Sequence, residues 1–307
     1  MQRRWITAGG RCSRDSRKLS RAAAGDVSCP VPSAPLTTTT SFGNPTLLGL
    51  PYDASSSFLH GAATAPPLIR QALHSPAGNL WTELGVDLAT DGLLGDAGDV
   101  PLGTSSAEVR AKIEDAVRTL LESGARPIVL GGDHSITYPV IRAVRWSHPH
   151  LSVLHFDAHP DLYPEFAGDR YSHACPMARV LEERLADQLV QVGIRTMTAV
   201  QRAQAERFGV EVIDMRAWVA GQRPVPRQPV YVSIDVDGFD PAFAPGVSHR
   251  EPGGLTVRDV LSVLQGLPVP IVGADIVEFN PQQDPTGLTA SVCAKLVKEL
   301  AGKMIAG

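Results

Sequence analysis

In this chain of 307 residues, no stretch restricts the fold more than Leu151 to Asp161, LSVLHFDAHPD. Its first half is an apolar, β-forming run of the kind buried inside a sheet. Its second half is charged. Asp157, His159 and Asp161 stand at i, i+2 and i+4, so in an extended chain their side chains leave on one side. Two carboxylates and an imidazole gathered there repel one another and resist losing water unless a cation sits among them. The stretch reads as half of a metal site at the exit of a buried strand.

Two further places repeat the pattern: Asp133 and His134 follow the apolar run 127–130, and Asp235 and Asp237 follow 231–234. Apolar strand runs also occur at 46–50, 189–192, 210–213 and 270–274. Helical spacing lies between several of them, at 68–73 after Pro66-Pro67, at 109–121 behind an expected Ser105/Glu108 capping box, and at 136–144, 176–186 and 198–208. Strands alternating with helices predict an α/β fold, a mostly parallel, doubly wound sheet covered on both faces. In such a sheet the strand ends lie along one edge, where ligands bind, so the three polar clusters can meet. Each cluster alone would pass as an ordinary turn or helix cap; their recurrence at three strand ends points to a site.

Six candidate ligands result: His134, Asp157, His159, Asp161, Asp235 and Asp237. Four carboxylates exceed what one divalent ion ordinarily gathers, so two ions sharing aspartates are expected. An oxygen-rich set with imidazoles and no thiolate suits Mn²⁺, with Co²⁺ and Ni²⁺ also compatible. Such a pair lowers the pKa of a bridging water, and hydrolysis is the expected reaction.

The net charge of -4 gives no basic footprint for nucleic acid, and no apolar run approaches the ~18 residues of a membrane span. A small-molecule substrate is expected. Cys12, Cys29, Cys175 and Cys293 lack CxxC spacing, which argues against a disulfide framework and fits a reducing compartment. Residues 1–45 are basic, hydroxyl-rich and poor in acids, a disordered or transit-like leader ahead of one domain at 46–307. The expected location is cytoplasmic, or mitochondrial if the leader is a transit peptide.

GGDHS at 131–135, DAHPD at 157–161 and SIDVDGFDPAFAPG at 233–246 resemble the three signatures of the ureohydrolase family of arginases and agmatinases. EPGGLT at 251–256, VEFNP at 277–281 and SSFLHGAATAPPLIR at 56–70 extend the resemblance over about residues 46–303, and YSHACPMAR at 171–179 is most like the plant-type arginase branch. The resemblance implies a three-layer α/β/α sandwich, two Mn²⁺ per subunit held by the six ligands above, release of urea from a guanidino compound, and a trimer or hexamer. It also implies that His173 passes a proton to the leaving amine, that Glu278 holds the guanidinium, and that Asp161 hydrogen-bonds the nucleophile while ligating.

The substrate's far end departs from the animal enzymes, which place an Asn and a Ser where this chain has Tyr163 and Asp169. An Asp169 facing the pocket would repel a carboxylate and attract an amine. That charge pattern favours agmatine or another carboxylate-free guanidine. The alternatives are L-arginine, a non-guanidino amide, and a catalytically silent subunit kept for assembly.

Overall fold

The computed structural model describes residues 43–103 and 105–307. The expected leader lies outside these, apart from its last three residues. Eight strands form one sheet: β1 (Pro45–Gly49), β2 (Gly95–Asp99), β3 (Arg126–Leu130), β4 (Ser152–Phe156), β5 (Gln188–Ile194), β6 (Glu211–Asp214), β7 (Val230–Asp235) and β8 (Ile271–Val277). Every pairing is parallel, in the order β2-β1-β3-β8-β7-β4-β5-β6.

Helices cover both faces, because side chains alternate along each strand and both sides are apolar. One face carries Leu154, Phe156, Val232 and Ile234 against α1 (Ala65–Leu73), α6 (Met215–Val219), α7 (Val257–Gly266) and α8 (Leu288–Ala306). The other carries Leu48, Val129, Val153 and Val272 against α2 (Ser106–Glu122), α3 (Thr137–Ser147), α4 (Pro176–Glu182) and α5 (Ala199–Phe208). The result is the three-layer α/β/α sandwich.

Some boundaries differ from the sequence reading, each for a local reason. Ser105 stands at the N-cap of α2, but its hydroxyl caps nothing, and the Glu108 carboxylate pairs instead with Lys112 at 2.9 Å, one turn on. Reciprocal capping boxes do form at Thr198/Gln201 and Thr256/Asp259. The expected helix 176–186 stops at Glu182, where Arg184 turns left-handed (φ 55°) and the Leu185 amide donates back to the Val180 carbonyl. The strand β2, GDAGD, has no apolar side to advertise it; it is an edge held to α1 by Arg70, whose guanidinium reaches Asp96 and Asp99 at 2.8 and 2.5 Å.

Register positions the site. Phe156 pairs with Ile234, Asp235 with Val277, and Leu130 with Ile276. The four central strands therefore end level with one another, and the residues that follow them project from one short length of edge.

Candidate metal centre and substrate cavity

Gly132 brings the exit of β3 against that of β1: a Cβ here would lie 1.7 Å from the Tyr52 carbonyl oxygen, which only glycine avoids. The Asp133 side chain then accepts from the Ser135 amide at 3.0 Å, capping a 3₁₀ turn over 134–136 that carries His134 inward.

His134 is fully buried. Its Nε2 lies 3.0 Å from the Ser233 hydroxyl, and that hydroxyl donates to Asp275 Oδ1 at 2.7 Å. The single hydroxyl proton is thus committed to Asp275, so Ser233 accepts from His134 and the ring proton resides on Nε2. Among the described residues Nδ1 makes no hydrogen bond, which leaves it for a proton or a metal ion. It faces one oxygen each of Asp161, Asp235 and Asp157, at 3.0, 3.1 and 3.4 Å. Burial disfavours the cation, but these carboxylates outweigh it and hold the imidazole well above its ordinary range. The position therefore demands positive charge, and the donor set fits a divalent metal in place of the proton.

A second group adjoins the first. His159 Nδ1 lies 3.2 Å from Asp237 Oδ2 and 3.4 Å from Asp157 Oδ1. Asp157 turns Oδ2 to the His134 group and Oδ1 to the His159 group, a carboxylate shared between two sub-sites. All six expected ligands are brought together. Burial, and then repulsion from Asp157, hold Asp237 up at about 6; burial with repulsion from Asp237 raises Asp235 well above the carboxylate range. Burial opposes the His159 cation, yet Asp237 and Asp157 raise it to about 12. The cluster has a high affinity for positive charge, and protons compete with metal for it.

Glu278, which follows β8, has a left-handed backbone (φ 63°), and so has the expected ligand Asp161 (φ 49°), each a local cost of about 1–3 kcal/mol concentrated at the site. Glu278 Oε1 accepts from the His134 amide at 2.9 Å and stands 2.9 Å from His173 Nδ1. In the neutral imidazole the Ser57 amide donates to His173 Nε2 at 3.1 Å and the ring proton sits on Nδ1, toward Glu278; in the imidazolium Nε2 instead donates to the Ser57 hydroxyl at 2.8 Å. Burial disfavours the His173 cation, but Glu278 outweighs it and holds the imidazole up at about 9.

A cavity of about 180 Å³, on the scale of one amino acid, opens on these groups and is further bounded by Ser57, Tyr163, Gln201 and His249. A larger cavity of about 580 Å³, at the sheet edge beside Arg202 and Asp214, touches none of the six ligands. The smaller one is the candidate active site.

The Arginase family model matches residues 44–302. The chain belongs to the arginase family. It is 49% identical over 276 residues to the mitochondrial arginase 1 of Arabidopsis thaliana, covering 84% of this chain and 80% of that protein. It is 35% identical to the proclavaminate amidinohydrolase of Streptomyces clavuligerus over 274 residues, covering 83% and 86%. Among solved structures, the arginase from Medicago truncatula superposes with a TM-score of 0.83 at 46% identity, covering 87% of this chain and 89% of that one.

In this arginase-family site Tyr163 borders the cavity, as expected, but Asp169 does not: its carboxylate accepts from the Tyr171 amide at 2.8 Å within its own turn. Several site groups escaped the sequence reading. His155, two residues before Asp157 on the same strand face, stands with Nε2 2.8 Å from Asp157 Oδ2 and accepts at Nδ1 from Gln191 Nε2 at 3.0 Å. Both its nitrogens are committed, so it orients Asp157 and does not ligate. His249 lies beside His173, ring centroids 5.4 Å apart, in the short gap between the stretches 233–246 and 251–256. Thr198-x-x-Gln201 carried a capping-box signal; Ser57 carried none.

Proposed function

We propose that this protein hydrolyses the guanidino group of L-arginine to urea and the corresponding amine. One observation carries the choice of substrate: identity to a plant arginase is 49%, against 35% to an amidinohydrolase of a different guanidino compound. The leaning toward agmatine rested on Asp169, whose carboxylate is engaged outside the cavity.

His134, Asp157, His159, Asp161, Asp235 and Asp237 would hold two divalent ions, Mn²⁺ by their chemistry, and the ions when bound supply an activated water and polarise the guanidinium. The protein's own groups do the rest. Glu278, kept ionised by His173 against the cost of burial, holds the guanidinium and fixes its plane toward the nucleophile. His173 carries a proton on Nδ1 beside the same carboxylate. As the C–N bond breaks, the His173 imidazolium gives a proton to the departing nitrogen and returns to neutral imidazole, and the nitrogen leaves as a neutral amine. Asp161 can accept a hydrogen bond from the nucleophile while ligating. An oligomeric assembly and a mitochondrial location belong to the same reading, the latter supported by the basic composition of residues 1–45 and by the relative named as mitochondrial.

Urea release from Mn²⁺-loaded protein, measured against L-arginine, agmatine, guanidinobutyrate and guanidine, tests the proposal. The highest kcat/KM is expected for L-arginine; a clearly higher value for agmatine would restore the carboxylate-free substrate.

A further inference from the structure

Gln201 is a buried polar side chain of the cavity wall to which this chemistry gives no task. Only 4% of it is exposed, and it borders the same cavity as Glu278. It is the third residue of α5, and its Oε1 accepts from the Thr198 amide at 3.0 Å and from the Thr198 hydroxyl at 3.1 Å. Those bonds fix the amide with its oxygen toward the helix cap. The NH₂ group, facing the other way, donates to no protein group among the described residues.

The location reinforces the chemistry. Gln201 stands in the first turn of a ten-residue helix, whose dipole favours an anion there, and it is the residue of that helix that borders the cavity. Apart from the metal-ligating aspartates and Glu278, no carboxylate lines the cavity; Tyr163, Phe166 and His249 are its other large neighbours. The cavity is thus graded, anionic where the guanidinium is held and furnished with neutral donors at Gln201.

We propose that Gln201 Nε2 receives the α-carboxylate of the amino acid whose guanidinium rests on Glu278. The proposal deepens the arginase reading and rests on it. It makes Gln201 a specificity determinant: agmatine has no carboxylate to place there, so its NH₂ would gain a partner only with an amino-acid substrate.

Gln201→Glu is the decisive variant, because a carboxylate can still accept both Thr198 bonds and preserve the cap while the donor is replaced by negative charge. With the full-length Mn²⁺-loaded protein, the KM for L-arginine should rise about 10–100-fold, the scale of losing a hydrogen bond to a charged group, with kcat changed far less. The KM for agmatine should stay or fall. As a control that needs no variant, L-argininamide should show the same KM penalty on the wild-type protein, and that penalty should vanish in Gln201→Glu. If wild-type protein cleaves arginine and the variant keeps its arginine KM, or loses arginine and agmatine equally, Gln201 does not bind the carboxylate. If wild-type protein cleaves agmatine but not arginine, the substrate reading falls and takes this one with it.

Discussion

Ser233→Ala is the substitution that most directly tests how the metal cluster is built. Ser233 touches no candidate metal position; its hydroxyl stands between His134 Nε2 at 3.0 Å and Asp275 Oδ1 at 2.7 Å, and all three residues are fully buried. Removing it leaves the imidazole N–H and one carboxylate oxygen without partners, while Asp275 Oδ2 keeps Tyr231 and Thr137 at 2.7 and 2.9 Å. Asp275 therefore stays in place and the loss falls on His134, whose Nδ1 is no longer held toward Asp157, Asp161 and Asp235. Supporting hydrogen bonds of this kind are worth about 10–100-fold in metal affinity, or about 1.4–2.7 kcal/mol at 1.36 kcal/mol per tenfold. Calorimetric titration of Mn²⁺ into metal-stripped protein reads the change directly, and Ser233→Thr, which restores the hydroxyl, should recover most of it. A Kd unchanged within about twofold in an intact Ser233→Ala protein would refute the argument that this serine orients the imidazole.

Other outcomes follow from the same geometry. His173→Ala should lower kcat by about 10²–10⁴ with full metal content retained by elemental analysis. Glu278→Gln should raise KM and lower kcat/KM together, since a neutral amide no longer pairs with the guanidinium. His173 is raised from 6.5 to about 9 in the folded protein, so its pairing with Glu278 stabilises fully below pH ~6.5 and is lost as pH rises through ~9. Thermal melts of wild type minus His173→Gln should show that loss within this window, and a flat difference would remove the ion pair from the stability of the fold. Asp169→Asn should leave the arginine-to-agmatine ratio of kcat/KM unchanged, because its carboxylate serves a turn amide.

The sheet and the clustering of these carboxylates and imidazoles were legible in the sequence because the same residues report both. A strand buried on two faces must be apolar along its whole length, so charge at Asp157 or Asp235 marks its end, and the end of a parallel strand is where a site forms. What stayed hidden was hidden by context. GDAGD at 95–99 is a strand only because β1 offers it an edge and Arg70 neutralises its aspartates. Asp169 looked like a pocket charge from its spacing alone, and only the chain's turn shows its carboxylate spent on Tyr171. Ser57 reaches His173 across 116 positions of sequence, through a loop without periodicity, and no local pattern could announce it.

The strand order also sets a timetable. Strands β3 and β4 follow one another along the chain, yet β8 and β7 lie between them in the sheet. Until residues 230–277 have been synthesised and inserted, the molecule has two half-sheets, each with an open, apolar inner edge. Asp133 and His134 belong to one half and Asp157 to Asp161 to the other, so no nascent chain ending before β7 can assemble the cage, whatever the metal supply. Closure pairs Ile128 with Ala274 and Ser152 with Val230, the slow, non-local kind of folding step that leaves strand edges open to wrong partners. Loss of the last strands would therefore not trim the enzyme from its end; it would split the sheet down the middle and leave both halves for chaperones to hold.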